Sequence, residues 1–202
     1  MSGSPAVPAI VLAAGASLRL GQPKQLLRLP GTQQTLLEHT VRAAQEAELQ
    51  PVFVVLGAEE EKIARATNLS NAIVLHNPDW PEGMASSIRC GLHAVQTQSP
   101  HASGVLLLVC DQPALTSAHL RALLTAHTAE PEAIIASRYA EARGVPLLAP
   151  RALFAELSAL TGDRGARALL QAPQRRCIAM DLEQGDLDID TPEDLSRLPT
   201  PK

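Results

Sequence analysis

The stretch VLAAGASLRLGQPKQLL, Val11–Leu27, starts as an apolar run and ends as a charged loop. Residues suited to a buried strand give way to Gly15, Gly21, Pro23 and two cations, Arg19 and Lys24. A loop that follows the first strand of an open α/β sheet lies beyond the strand's carboxyl end, where such sheets bind ligands. Gly15 and Gly21 permit a tight loop and a close backbone approach to a ligand. Backbone N–H groups in such a loop cradle phosphate oxygens. Arg19 can fork onto phosphate, and Lys24 can neutralise it as a point charge. The loop is neither GxxxxGK[ST] nor GxGxxG. From the residues alone, a phosphate-binding loop and a solvated surface loop with incidental cations both stay open.

Further apolar runs follow along the chain. PAIVLA (8–13), VFVVLG (52–57), AIVLH (72–76), GVLLLVC (104–110) and AIIAS (133–137) are apolar throughout rather than alternating. That pattern suits parallel strands covered on both faces. Helical patterns lie between them. The segment 34–49 puts Leu37, Val41 and Ala44 on one stripe, and 84–96 groups Ile88, Leu92 and Val95. The segment 116–127 opens on Thr116 as an N-cap and carries Leu120, Leu123 and Leu124. Alternating strands and helices predict an α/β domain with a mostly parallel sheet. After residue 138 the rhythm changes. RGVPLLAP (143–150) reads as a short strand, and the segments 151–160 and 164–172 read as short helices. RRCIAMD (175–181) and DLDIDTPEDLSRL (186–198) follow, with no linker that would divide the chain.

The 202 residues suffice for one full α/β domain, and a 46% hydrophobic content supports a sizeable core. Aromatics make up only 2%, and the net charge is −4, which argues against a nucleic-acid-binding face. Three widely spaced cysteines, Cys90, Cys110 and Cys177, fit neither a disulfide framework nor a zinc site. They point to a reducing cytoplasm. AVPAIVLAAGAS lacks a basic residue ahead of its short apolar run, so it reads as a first strand rather than a leader. No run approaches the ~18 apolar residues of a membrane span.

Several other segments carry candidate chemistry. Asp111 ends the fourth apolar run and should sit at the carboxyl edge of the sheet. A carboxylate there suits magnesium, which takes one or two protein carboxylates beside substrate phosphates. The alternative is that Asp111 only shapes the turn with Pro113. Asp186, Asp188 and Asp190 share one face if their segment is extended. Asp190 or Thr191 ahead of Pro192 equally marks a helix start. NPDWPEGMASSIRCGL (77–92) offers Ser86, Ser87 and first-turn N–H groups to a polar ligand edge, or simply a capped helix. No GxSxG or HExxH is present, His39, His93, His119 and His127 read as helix-surface or packing residues, and Cys110 reads as a buried structural thiol.

Taken together, LAAGASLRLGQPKQLL resembles the LAAGxSxRxGxPKxLL signature of nucleotidyltransferases. NPDWPEGMASSIRCGL, LLLVCDQPAL, RGVPLLAP, LTGDRGARALL and DIDTPEDL follow in the order seen in the molybdenum cofactor cytidylyltransferase branch. The resemblance runs from about Pro8 to Leu195. It implies a Rossmann-like three-layer α/β/α sandwich of the nucleotide-diphospho-sugar transferase type. It implies one domain over 1–202, with a nucleotide-binding half at about 8–137 and an acceptor-facing half at about 138–198. The activity implied is Mg²⁺-dependent transfer of CMP from CTP to molybdopterin cofactor, with an apo molybdenum hydroxylase as a further partner and no nucleic acid or membrane.

The implied nucleotide site holds Leu12, Ala13, Ala14, Gly15, Ser17, Arg19 and Lys24, with Ser86, Ser87 and Gly91. Arg19, Lys24 and Asp111 are the implied catalytic residues. Asp111 carries the metal with Asp190 or Asp188, and Gly144, Pro146, Asp163 and Arg167 lie toward the acceptor. Two positions depart from the signature. Val145 stands where relatives carry His or Asn before the proline, and Leu20 stands in place of Met. Two other readings remain: transfer to a sugar or polyol phosphate, and a non-catalytic protein that delivers molybdenum cofactor.

Overall fold

The computed structural model describes residues 6–172 and 174–197. Residues 1–5, Pro173 and the tail from Leu198 lie outside the description, including the last residue of the segment 186–198. Seven strands form one sheet: β1 (Ala9–Leu12), β2 (Val52–Leu56), β3 (Ile73–His76), β4 (Gly104–Val109), β5 (Ile134–Tyr139), β6 (Ala142–Pro150) and β7 (Cys177–Asp181). Their order across the sheet is β3-β2-β1-β4-β6-β5-β7. Every neighbouring pair is parallel except those made by β6, which runs antiparallel to β4 and to β5. The sheet is therefore mostly parallel, as expected, with β6 as its one reversed strand. RGVPLLAP proves to be part of a nine-residue strand, embedded between two others.

The continuous apolar runs have a plain cause. Side chains alternate across a strand, and here both faces are covered. Ala9 and Val11 of β1 point into one core with Val52, Val54, Leu106 and Leu108. Ile10 and Leu12 point into the other with Phe53, Val55, Val105 and Leu107. Helices α1 (Leu36–Glu46) and α4 (Ser117–Ala129) cover the first face through Leu37, Val41, Leu120 and Leu123. Helices α3 (Met84–Gln98) and α5 (Phe154–Ser158) cover the second through Ile88, Leu92, Phe154 and Leu157. This is the expected three-layer arrangement. The short helix α2 (Glu60–Ala66) has no counterpart in the pattern reading.

Local signals set the helix ends. Thr35 caps α1 in a reciprocal box: its hydroxyl accepts from Glu38 N–H, and Glu38 accepts from Thr35 N–H at 2.7 Å. Thr116 caps α4 as expected, accepting from His119 N–H. Three expectations are corrected. AIVLH forms an edge strand with every second residue exposed, because only β2 flanks it. The segment 151–160 folds as a 3-10 turn followed by one short helix, and 164–172 contains only a 3-10 helix, Ala166–Gln171. The segment 186–190 is not a strand; of its two readings the helix start holds, as a 3-10 helix that begins at Pro192.

Candidate active site

The carboxyl ends of β1 and β4 lie side by side, with Leu12 paired to Val109. The loop after β1 and the turn after β4 therefore meet. Gly21 and Ser17 both adopt positive φ in the first loop. Ser17 accepts a hydrogen bond from Lys24 N–H, closing the loop on itself. Gln25, only 1% exposed, donates to Ala13 O at 2.7 Å and to Gly15 O at 3.0 Å. That buried amide fixes the backbone just where it leaves the sheet.

The closed loop delivers Lys24 to two carboxylates. Its ammonium donates to Asp111 at 2.5 Å and to Asp190 at 2.8 Å. Arg19 reaches the other oxygen of Asp190 at 3.0 Å. Burial acts to lower the Lys24 pKa, but the charge of Asp111 and the hydrogen bonds to both carboxylates outweigh it. The lysine is held in its charged form. Hydrogen bonding to Lys24 in turn holds the Asp190 carboxyl below its ordinary value.

Asp190 reaches this point because of its apolar neighbours. Leu187 and Ile189 are buried in a small core with Leu29 and Leu36. Ile189 N–H also donates to Asp111 O at 3.3 Å. The alternation of the segment then turns Asp188 and Asp190 toward the site. Although Asp188 is exposed as a whole residue, partial burial of its carboxyl and the like charges of Asp111 and Asp190 push its pKa up to about 6.

Two cavities meet at this cluster. The first, of about 370 Å³, is lined by Leu12, Ala13, Ala14, Gly15, Trp80 and Ser87, among others. The second, of about 550 Å³, is lined by Gln112, Tyr139, Val145, Arg167, Asp188 and Asp190, among others. Lys24, Asp111, Val109, Met84 and Asp163 line both. Asp163 is brought to the junction by Gly83, the residue before α3. A side chain at Gly83 would lie 2.4 Å from Asp163 Oδ1, and its φ of +118° is one that favours glycine.

Several residues singled out in the sequence stand back from the cavities. Ser86 is buried, donates to Gly83 O and accepts from Asn77, so it braces the start of α3. Ser87 accepts from Asn77 while lining the first cavity. Gly91 lies under Ile10, where an added Cβ would come within 2.5 Å of Ile10 Cγ2, so its smallness serves helix-to-sheet packing. Ser17 acts within its own loop. Gly144 and Pro146 flank Val145, and it is Val145 that lines the second cavity. Gln25, Trp80, Gln112 and Tyr139 were not singled out by the sequence reading. Of these, Trp80 and Tyr139, each the only residue of its type in the chain, carried a compositional signal.

A fixed lysine and a carboxylate pair between two cavities is an arrangement for moving a charged group from one bound molecule to another. The chain belongs to the family of the MobA-like NTP transferase domain, whose model matches residues 9–177, and it is a nucleotidyltransferase. Nicotine blue oxidoreductase of Paenarthrobacter nicotinovorans is 32% identical, covering 96% of this chain and 97% of that protein. Molybdenum cofactor cytidylyltransferase of Escherichia coli is 27% identical, covering 94% of this chain and 93% of the relative. Among solved structures, Rv0371c of Mycobacterium tuberculosis in complex with manganese is 30% identical with a TM-score of 0.81. That match covers 97% of this chain and 98% of the other.

The residues present fit a divalent metal. Asp111 Oδ1 is buried and has no partner among the described residues, and Asp190 shares the same ammonium. Carboxylate oxygens are the donors that Mg²⁺ and Mn²⁺ favour. Among the described residues, no group of three or more His, Cys, Asp or Glu is arranged to hold a metal alone. A ligand set completed by substrate phosphates matches that economy. No helix among the described residues is long and apolar enough to cross a membrane.

Proposed function

We propose that this enzyme transfers CMP from CTP to molybdopterin cofactor and releases pyrophosphate. One observation carries the reading: Lys24 and Asp111 stand at the junction of two cavities, one on the glycine loop and one under Arg167. The first cavity takes the nucleotide. The second takes the acceptor, so the chain functions as one unit with a nucleotide-binding half and an acceptor-facing half.

Bound Mg²⁺, carried by Asp111 and Asp190, would supply neutralisation of the phosphate charge. The chain's own residues do the rest. Lys24 holds the α-phosphate and the leaving pyrophosphate, and Arg19 adds a second positive charge at the rim. Ala13 and Ala14 present backbone to the base and ribose, and Ser87 offers its hydroxyl to the same ligand. Arg167, held by Tyr139, faces the acceptor phosphate. A phosphate monoester is largely ionised near neutral pH, with a second pKa of about 6. It needs no strong general base. Alignment and charge stabilisation then account for the catalysis.

A carrier that only delivers cofactor has no use for a buried lysine between two carboxylates, which favours the enzyme. The decisive assay incubates the protein with each NTP, Mg²⁺ and molybdopterin cofactor and measures pyrophosphate. Trp80 lines the first cavity and is the chain's only tryptophan, so its fluorescence reports nucleotide binding separately. Pyrophosphate release with CTP and molybdopterin alone is the expected result. Release only with sugar or polyol phosphates would overturn the acceptor. Redox turnover without pyrophosphate would favour the activity named for the P. nicotinovorans relative.

A further inference from the structure

The ladder between β5 and β6 breaks beside the second cavity. Ala136 pairs with Leu147, but the next residue, Ser137, pairs with Gly144. Val145 and Pro146 are left over. The pairing of β6 with β4 also stops at Leu147, opposite Leu107. The two residues form a bulge that stands outside both ladders. A bulge re-aims side chains next to a site, but only if its freed backbone groups find partners.

Two buried side chains provide them. Gln112, 2% exposed, donates from Nε2 to Val145 O at 3.2 Å and to Gly185 O at 3.1 Å. Ser137, fully buried, donates from its hydroxyl to Pro146 O at 2.9 Å. That uses the only proton Ser137 has. The 2.8 Å contact between His119 Nε2 and Ser137 Oγ must therefore have histidine as the donor. His119 is fixed as the Nε2–H tautomer and orients the serine. The bulge is thus tied to the turn after β4 by Gln112 and to helix α4 by His119 and Ser137.

What the bulge aims is the acceptor side of the site. Val145 lines the second cavity. Gly144, at the base of the bulge, lies so close beneath Arg167 that an added Cβ would be 2.5 Å from its Nε and 2.4 Å from Tyr139 Oη. Arg167 donates to that same hydroxyl at 2.7 Å and stacks over the Tyr139 ring. The height of the bulge therefore sets where the guanidinium lies.

We propose that Gln112 and Ser137, the latter oriented by His119, are positioning residues for the phosphorylated acceptor: both act through the Val145–Pro146 bulge on Val145 and Arg167, and Gln112 also borders the acceptor cavity itself. This rests on the reading of the second cavity as the acceptor site. None of the three touches the first cavity. Their influence falls on the acceptor and leaves CTP alone.

The test uses Ser137→Ala and, independently, Gln112→Met, which keeps length and removes the donor. Initial rates are measured against a panel of acceptors: molybdopterin cofactor, a sugar phosphate and a polyol phosphate. CTP affinity is followed by Trp80 fluorescence. With whichever acceptor the unaltered enzyme uses, each variant should raise acceptor KM about tenfold. CTP affinity and CTP KM should stay within twofold. His119→Gln keeps a donor and should retain more acceptor affinity than His119→Ala. Turnover with a panel member other than molybdopterin would refute the proposed acceptor while still testing the bulge. Unchanged acceptor KM in both variants, or an equal loss toward CTP, would overturn the inference. Absence of turnover with every acceptor would overturn both.

Discussion

Lys24 and Asp111, 87 positions apart in the chain, stand 2.5 Å apart at the meeting point of the two cavities. Asp190 shares the same ammonium. The lysine holds two carboxylates together and, on the proposed reading, also presents a fixed charge to a triphosphate. Losing one preorganised transition-state contact lowers kcat by roughly 10²–10³-fold, and Lys24→Met should show that loss. The carboxylates would then lose the cation they share, and only Asp190 would keep one, Arg19 at 3.0 Å. Stability should fall by about 1–3 kcal/mol, less than for a fully buried pair because the Asp190 side chain is 38% exposed. A divalent cation should raise the melting temperature of this variant more than that of the unaltered protein. Equal cation responses would separate the carboxylates from metal binding.

Asp111→Asn tests the other partner. Asparagine keeps the shape and still reaches Lys24 through its carbonyl, but it carries no charge for a metal. Metal-dependent turnover should disappear while circular dichroism stays unchanged. Full activity would remove Asp111 from the site.

On the proposed reading, Ala14 is the residue expected to set the choice of nucleotide. It is 5% exposed, lines the first cavity, and its carbonyl accepts from Ala58 N–H at 3.0 Å, so it cannot shift aside. Its methyl narrows the slot for a two-ring base. Related guanylyltransferases resemble this loop but carry glycine at the position of Ala14. A methyl-sized contact decides about 1–3 kcal/mol. Ala14→Gly should relax the preference for CTP over GTP, read as kcat/KM for both nucleotides with one acceptor. Equal use of GTP by the unaltered protein would sink the cytidylyltransferase reading.

Glu38 gives stability a defined pH dependence. Burial acts to raise its pKa, but hydrogen bonds from Asn68 N–H and Thr35 N–H outweigh it, and the net shift is downward. A carboxyl depressed in the folded state stabilises fully above its unfolded value near 4.5. That contribution is lost as the pH falls through the lower folded value. Glu38→Gln has one carbonyl oxygen for the two donors. It should lose about 1 kcal/mol at neutral pH. Thermal melts of both proteins should converge as the pH falls through the lowered folded value. A gap that stays constant into acid would show that the charge plays no part.

The sheet was legible because its strands announce themselves twice. Ile10, Phe53 and Leu107 are apolar for one face, and Val11, Val54 and Leu108 for the other. Asp111 was legible because it directly follows such a run, and Lys24 because it sits in the glycine-bearing loop that opens after β1. Gln25, Gln112 and Ser137 were not. Their partners are main-chain carbonyls, which leave no trace in side-chain identity, and the partners of Gln112 and Ser137 lie nine to 73 residues away. The break in β6 was hidden for a related reason. Val145 and Pro146 look like strand residues, and only the register between two strands reveals that they have no counterpart.

The reversed strand β6 has one more consequence. Because it runs against β5, the two are joined directly by the two-residue turn Ala140–Glu141, and both turn residues are exposed. This hairpin projects from the same edge of the sheet as Asp111. The other connections leaving that edge lead into helices, whereas this turn joins two strands directly. Here residues can be inserted at the tip without altering strand order, and doubling a flexible loop costs only about 0.6 kcal/mol in closure entropy. The tip itself does not line the second cavity, but Tyr139, the residue that leads into it, does. Exchanging hairpin tips between relatives should change which acceptor is admitted, scored by product analysis, while the triphosphate end of the enzyme keeps its affinity for nucleotide.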